Sequence, residues 1–312
     1  MSSEQKTFII GVLAYPNVQQ AAVYGIIDLI TVANSFKSDG DADLKSVEVC
    51  RIEMNELRKR RQYSAIIIPP SLTARLSDEE MAPIVAWVKQ QHQRGTLLCS
   101  VCGGAFILAK TGLLDQRPAT THWAFADEFR KLHPQVLLDT GKLLIDDGDV
   151  ITAGGLTAWI DLGLLLVERF LTPAIMLATA RFFLVDPGRR EQRFYSSFSP
   201  SFAHGDQAIL RAQHWIQTHY QDPVTVVQMA EVSRLEKRTF IRRFKKATNC
   251  NPSEYVQQLR IAKAKESLEL TRHNVDKIAH DVGYEDLSAF RRIFYKITAL
   301  TPREYRQRFS IY

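Results

Sequence analysis

The sequence predicts a doubly wound α/β domain over residues 1–190 and an all-α domain with two helix-turn-helix units over 206–312, joined by a linker at 191–205. Three observations predict this. Short apolar runs alternate with helix-period patterns through the first half. In the second half one pattern occurs twice at an offset of fifty residues, and nine of the eighteen positions from 240 to 257 are identical at that offset. Charge is divided unevenly as well. Residues 205–312 hold 19 Lys and Arg against 12 Asp and Glu, a net +7, while the remainder holds 21 against 22.

The first strand is the apolar run Phe8 to Leu13, closed by Tyr15-Pro16-Asn17, with a helix expected from about Ala21 to Phe36. Val47 to Arg51 and Ala65 to Ile68 are the next strands, the latter stopped by Pro69-Pro70. Ser77-Asp78-Glu79-Glu80 starts an amphipathic helix through Ile84, Val85, Trp87 and Val88, ended by Gly95. Thr96 to Val101 is a fourth strand. After His122 a helix runs to about Leu132, followed by strand candidates at 136–138, 143–145 and 150–152 and one long apolar helical region from Thr157 to Val185. Continuous apolar strands between helices predict a parallel sheet covered on both faces.

Within the duplication, Thr225 to Val232 is a short helix, Ser233 to Glu236 a break, and the next helix carries Phe240 and Phe244 at i, i+4. The second copy has Val275 to Val282, a turn at Gly283-Tyr284, and a helix from Leu287 to Ile297 with Phe290 and Phe294. Opposite the phenylalanines lie Arg238, Arg242, Lys245 and Lys246 in copy one, and Ser288, Arg292, Tyr295 and Lys296 in copy two, with Arg291 beside them. Guanidinium groups can pair with guanine edges and lysines with phosphates, so these are the candidate DNA-binding residues. Asn251-Pro252-Ser253-Glu254 and Thr301-Pro302-Arg303-Glu304 are matching helix starts. A helix from Pro252 to Leu270 would be roughly 28 Å long. That suits two reading heads meeting major-groove segments about 34 Å apart.

With Ile278-Ala279-x-x-Val282-Gly283-Tyr284 and Pro302-x-x-Tyr305-Arg306, residues 205–309 resemble the DNA-binding domain of AraC/XylS-family transcription regulators. Three positions depart from that pattern. Asn249 and Ala299 stand where the family has glycine, which makes Ala299 either a site of mild strain or a locally different turn, and Glu236 stands where it has serine.

The N-terminal half holds a second chemical signature. A strand runs into Cys102, Gly103-Gly104 permits a sharp turn, and Ala105 to Ala109 opens a helix, the layout of a nucleophile elbow with cysteine in place of serine. A helix N-terminus there would favour the thiolate. Cys102-Gly103-Gly104-Ala105-Phe106, Ala119-Thr120-Thr121-His122-Trp123 and Thr152-Ala153-Gly154-Gly155 resemble the PfpI-like branch of the class I glutamine amidotransferase superfamily, so a flavodoxin-like, amidotransferase-type fold is implied. In this order the two domains resemble the GlxA subgroup of AraC-type regulators. The resemblance implies promoter or operator DNA, a small-molecule effector, a homodimer and RNA polymerase as partners, activation as the commoner sign of regulation, and amines, amino acids or quaternary ammonium compounds as effectors.

Ligands of open α/β sheets bind in the crevice at the strands' C-terminal ends. Its expected walls are Tyr15, Asn17, Cys102, Gly103, His122, Gly154, Gly155 and Thr157. Enzymes of the resembled superfamily place an acidic residue from the first helix beside the nucleophile, and here the stretch from Asn17 onward has no carboxylate before Asp28. Cys102 and His122 are therefore read as vestigial pocket walls, with no catalytic residue. A cysteine-dependent hydrolase or glyoxalase-like enzyme with a DNA-binding tail is the alternative, and a redox sensor through Cys102 a third. Cys99 and Cys102 have no second C-x-x-C or His pair to complete a zinc site, so no metal or cofactor is expected. No eighteen-residue apolar run and no charged-then-apolar leader occur, so no membrane partner and a cytoplasmic location are expected.

Overall fold

The computed structural model describes residues 7–37, 46–73, 76–187, 191–198 and 200–312. They divide into two compact units between Gln192 and Arg193. The first unit runs β1 (Phe8–Ala14), α1 (Gln20–Ser35), β2 (Val47–Glu53), β3 (Ala65–Ile68), α2 (Asp78–Gln93), β4 (Leu97–Val101) and α3 (Gly104–Lys110). It continues with β5 (Pro118–Ala119), α4 (Ala126–Leu132), β6 (Leu137–Leu138), β7 (Leu144–Asp146), β8 (Val150–Ala153), α5 (Trp159–Phe170) and α6 (Pro173–Phe182).

Six strands form one sheet in the order β2-β1-β3-β4-β8-β7. The first five are parallel and central β3 and β4 are buried along their whole length, as their unbroken apolar sequence requires. The sheet is nevertheless mixed. β7 runs antiparallel to β8, because the Asp147-Gly148-Asp149 turn is far too short for a crossover. In that turn the Asp147 amide donates to the Val150 carbonyl at 2.9 Å. Leu137 and Leu138, within the strand candidate at 136–138, pair with Pro118 and Ala119 in a separate two-stranded ladder. The long apolar region expected from Thr157 to Val185 is two helices, since Pro173 cannot continue a helix and instead starts one, with the Thr172 hydroxyl accepting the Ile175 amide at 3.1 Å.

The second unit contains α7 (Gln207–His219), α8 (Val226–Val232), α9 (Lys237–Thr248), α10 (Pro252–Leu270), α11 (Val275–Asp281), α12 (Leu287–Thr298) and α13 (Pro302–Phe309). It has two separate cores. Ile209, Ile216, Met229, Phe240 and Phe244 pack with Tyr255, Val256 and Leu259 of α10. Ile278, Val282, Phe290, Phe294 and Tyr305 pack with Ile261, Ala264 and Leu268 further along the same helix. Each half of α10 thus serves one copy of the duplication. Sequence reading did not anticipate α7, whose first turn is capped by Asp206 through the amides of Ala208 and Ile209.

The polar composition of 191–205 reads as linker, yet its first residues are packed. Gln192 is buried in the first unit. Phe194 lies in the second core of the second unit, and Phe198 meets Tyr255 edge-on at 5.0 Å. Lys265 of α10 donates to the carbonyls of Phe194 at 3.1 Å and Ser196 at 2.5 Å, a buried cation held by carbonyl oxygens and the Tyr305 ring. Residues 188–190 and 199 lie outside the described residues.

Candidate nucleic-acid interface and ligand cleft

The two helix-turn-helix units present α9 and α12 in the same way. Burial of Phe240 and Phe244 turns Arg238, Arg242, Lys245 and Lys246 outward, and all four are exposed. Burial of Phe290 and Phe294 does the same for Ser288, Arg292, Tyr295 and Lys296. Among the described residues none of these six cations forms an ion pair. Arg291 differs, because it leans to α11 and pairs with Asp276 at 3.3 Å. Arg243 differs more strongly. It is turned inward and grips Asp206 through two hydrogen bonds of 2.9 and 2.6 Å, so it braces α9 against the start of α7.

Both second helices end in a left-handed residue, Asn249 at φ 57° and Ala299 at φ 58°. Ala299 therefore keeps the family's turn and bears its strain rather than adopting another. Their starts are unequal. Asp286 caps α12 through the Ser288 amide at 2.8 Å, whereas Glu236 makes no side-chain cap for α9. Arg260, midway along α10, joins the two copies. It donates to the carbonyls of Tyr220 and Asp222, each at 2.7 Å, and lies over the Tyr284 ring of the second turn.

In the first unit a cleft of about 260 Å3 opens at the C-terminal ends of β1, β3 and β4, where the strand order reverses. Tyr15, Ser71, Leu72, Gly103, Phe106 and Phe125 are among its walls. Tyr15 donates to the Pro69 carbonyl at 2.6 Å, and burial, then the neighbouring Cys102, push its ionisation upward. Cys102 sits at the strand–helix junction with φ 50°, a left-handed conformation held by its amide donating to Ala153 and its carbonyl accepting the Thr121 hydroxyl, both at 2.7 Å. Gly104 is required beside it, because a Cβ there would collide with the Ile68 carbonyl.

The other expected walls are placed differently. Asn17 is exposed at the rim, where its carbonyl accepts the Leu72 amide at 3.1 Å. Neither Cys102 nor His122 lines the cleft. His122 packs at a tilt against Phe125 at 5.5 Å, with burial lowering its basicity. Its Nδ1 accepts the Ala124 amide at 3.1 Å. Gly154, Gly155 and Thr157 do not line it either, because the Gln192 carboxamide fills the space over Gly154 and the other two belong to the turn entering α5. Sequence reading missed the walls Ser71 and Leu72, although their position just after the Pro69-Pro70 end of β3 marks the switch point. It also missed Gln192, for which the sequence carries no local signal.

Residues 34–169 match the DJ-1/PfpI family, and residues 229–308 match a helix-turn-helix domain family. The chain joins a DJ-1/PfpI-family domain to an AraC-type helix-turn-helix domain. It is 28% identical over 226 residues to the HTH-type transcriptional regulator CdhR of Pseudomonas aeruginosa, covering 72% of this chain and 66% of that one. The chain thus spans just under two thirds of that relative. It is 22% identical over 225 residues to the HTH-type transcriptional regulator GlxA of Rhizobium meliloti, covering 71% of this chain and 68% of that one. A solved Vibrio parahaemolyticus protein described as a transcriptional regulator superposes with a TM-score of 0.50 at 21% identity, over 57% of this chain and 99% of its own, which shows a shared fold. No helix among the described residues is long and apolar enough to cross a membrane.

Proposed function

We propose that this protein is a sequence-specific, DNA-binding transcription regulator whose DJ-1/PfpI-type domain binds a small effector at the β1/β3/β4 cleft. The observation that carries the reading is the pair of exposed faces on α9 and α12, free of ion pairs among the described residues at Arg238, Arg242, Lys245, Lys246, Arg292 and Lys296, each face backed by its own core on one shared helix. Unpaired guanidinium and ammonium groups on a helix of this kind suit base edges and phosphates. Dimerisation through the first unit, contact with RNA polymerase, activation and a cytoplasmic location are part of the same reading, in keeping with relatives named HTH-type transcriptional regulators. Affinity selection of fragmented genomic DNA by the full chain tests it. Discrete enrichment upstream of a few genes is expected, and uniform salt-sensitive binding without enrichment would overturn it.

The enzyme alternative finds little support at the elbow. Because Nδ1 of His122 accepts an amide, its neutral ring carries the proton on Nε2, and burial disfavours the charged form. With Nδ1 taken up by that amide, and no acceptor on Nε2 among the described residues, no third group orients His122 as a base for Cys102. Amidase and methylglyoxal screens are expected to give no turnover that Cys102→Ser removes.

A further inference from the structure

The duplication allows the two heads to be compared slot by slot at the fifty-residue offset. Residues 234–246 hold seven Lys and Arg against one Glu, a net +6, while 284–296 hold three against Glu285 and Asp286, a net +1. Pairing widens the gap. In the first copy Arg243 is spent on Asp206, which leaves Arg234, Lys237, Arg238, Arg242, Lys245 and Lys246 exposed and without an ion pair among the described residues. In the second copy Arg291 is spent on Asp276, which leaves Arg292 and Lys296. Arg242 and Arg292 share one slot, as do Lys246 and Lys296. At the other slots a cation of copy one meets an uncharged residue in copy two: Tyr284 for Arg234, Leu287 for Lys237, Ser288 for Arg238 and Tyr295 for Lys245. Tyr284 and Leu287 pack on the second core, so those two slots serve the fold. Ser288 and Tyr295 do not. Both are exposed, and Tyr295 leaves its ring 56% open one turn from Arg292.

A cation that meets a phosphate releases condensed counterions, adds about 0.9 to the log–log salt slope and grips every sequence alike. A hydroxyl and an aromatic ring in the major groove act otherwise. The hydroxyl exchanges hydrogen bonds with base edges, and the ring packs on the thymine methyl. We propose that the two heads divide recognition between them. The larger share of the salt-sensitive grip comes from α9, and the larger share of base discrimination comes from α12. Ser288 and Tyr295 are its specificity-determining residues on either side of Arg292, with the Tyr295 ring against a thymine methyl. The division rests on the regulator reading and deepens it. It makes the two halves of an operator chemically unlike, so the half under α9 tolerates base changes better than the half under α12.

Exchanging the unlike exposed slots in the full chain tests the division. Arg238→Ser with Lys245→Tyr gives α9 the side chains of α12, and Ser288→Arg with Tyr295→Lys does the reverse. All four side chains are exposed, and the cap of α12 uses the Ser288 amide rather than its hydroxyl, so both variants should melt with the parent. Binding is read by fluorescence anisotropy over a salt series, on a random duplex and on a fragment selected from genomic DNA. The first variant should make the slope on random DNA shallower by about two and leave the ratio of specific to random binding within about threefold. The second should steepen that slope by about two and lower the ratio about tenfold or more. Tyr295→Phe should keep the ratio, and Tyr295→Ala should lower it. Uracil in place of thymine in the selected fragment should weaken the parent more than the Tyr295→Ala chain, since uracil lacks the methyl group. An unchanged slope in the first variant, or an equal fall in ratio from both, overturns the division. An equal uracil effect overturns the thymine contact. Slopes on random DNA need no operator, so a chain that binds without discrimination fails the regulator reading while the grip of α9 is still decided. Binding to neither duplex sinks both.

Discussion

Arg242→Ala is the sharpest test of how the DNA-binding face works. At about 100° per residue Arg242 lies about 200° from both Phe240 and Phe244, at the centre of the exposed side of α9. It is exposed and makes no ion pair among the described residues, so the fold should lose nothing beyond about 0.5 kcal/mol. Loss of a bidentate pairing with a base edge costs about 1–3 kcal/mol of discrimination, a roughly 5- to 150-fold fall in the ratio of specific to random binding. Fluorescence anisotropy on a selected operator fragment and a scrambled duplex of the same composition, over a salt series, measures that ratio. Lys245→Ala should instead weaken both duplexes alike and make the log–log salt slope shallower by about one. Equal loss on the two duplexes for Arg242→Ala would reduce it to a phosphate contact. No loss on either would mean that this face does not meet DNA.

Four further outcomes follow from the same unit. Ala299→Gly relieves a left-handed alanine and should stabilise the second unit by about 0.5–1 kcal/mol in a urea titration, less whatever the freer unfolded glycine takes back. Glu236→Ser supplies the missing cap of α9 and should add about 0.5–1 kcal/mol by the same measurement. Hydrogen bonding to Arg243 holds the Asp206 carboxyl below its ordinary range, so its stabilisation is present above the unfolded value of about 3.9 and is lost as pH falls through the folded one. Asp206→Asn, which keeps a capping oxygen, should flatten that part of the acid limb of thermal melting. Arg260→Met keeps an apolar stem but removes the bonds to Tyr220 and Asp222, and it should broaden the half-site spacings tolerated in binding while each head still folds.

The helical half was legible because its determinants are local. Phe240, Phe244, Phe290 and Phe294 announce their buried faces by i, i+4 spacing, and Thr301 with Glu304 closes the capping box within four residues. One helix escaped, α7, where Ile209, Ala212 and Ile216 keep the period but His214, Trp215 and Gln213 blur it. The sheet was legible as alternating apolar runs. Strand direction was not, since β7 has the same kind of sequence as a parallel strand and only the three-residue turn before β8 decides against a crossover.

The cleft of the first unit was half legible for a different reason. Tyr15 and Gly103 follow strands directly, so the rule that binding crevices lie at strand C-termini finds them. Gly154 obeys the same rule and yet lies outside the cleft, because a side chain 38 residues later fills the space above it. Gln192 reaches Thr120 and Thr121 across more than seventy residues, and it does so from a stretch whose Arg, Ser, Phe and Pro content reads as linker. A buried polar side chain is tolerated only where its hydrogen bonds are met, and that condition is a property of the assembled fold which no local period encodes. The signature of the resembled superfamily was therefore present at Cys102, Thr121 and His122, while the residue that fills the space over Gly154 sits where composition points away from any site.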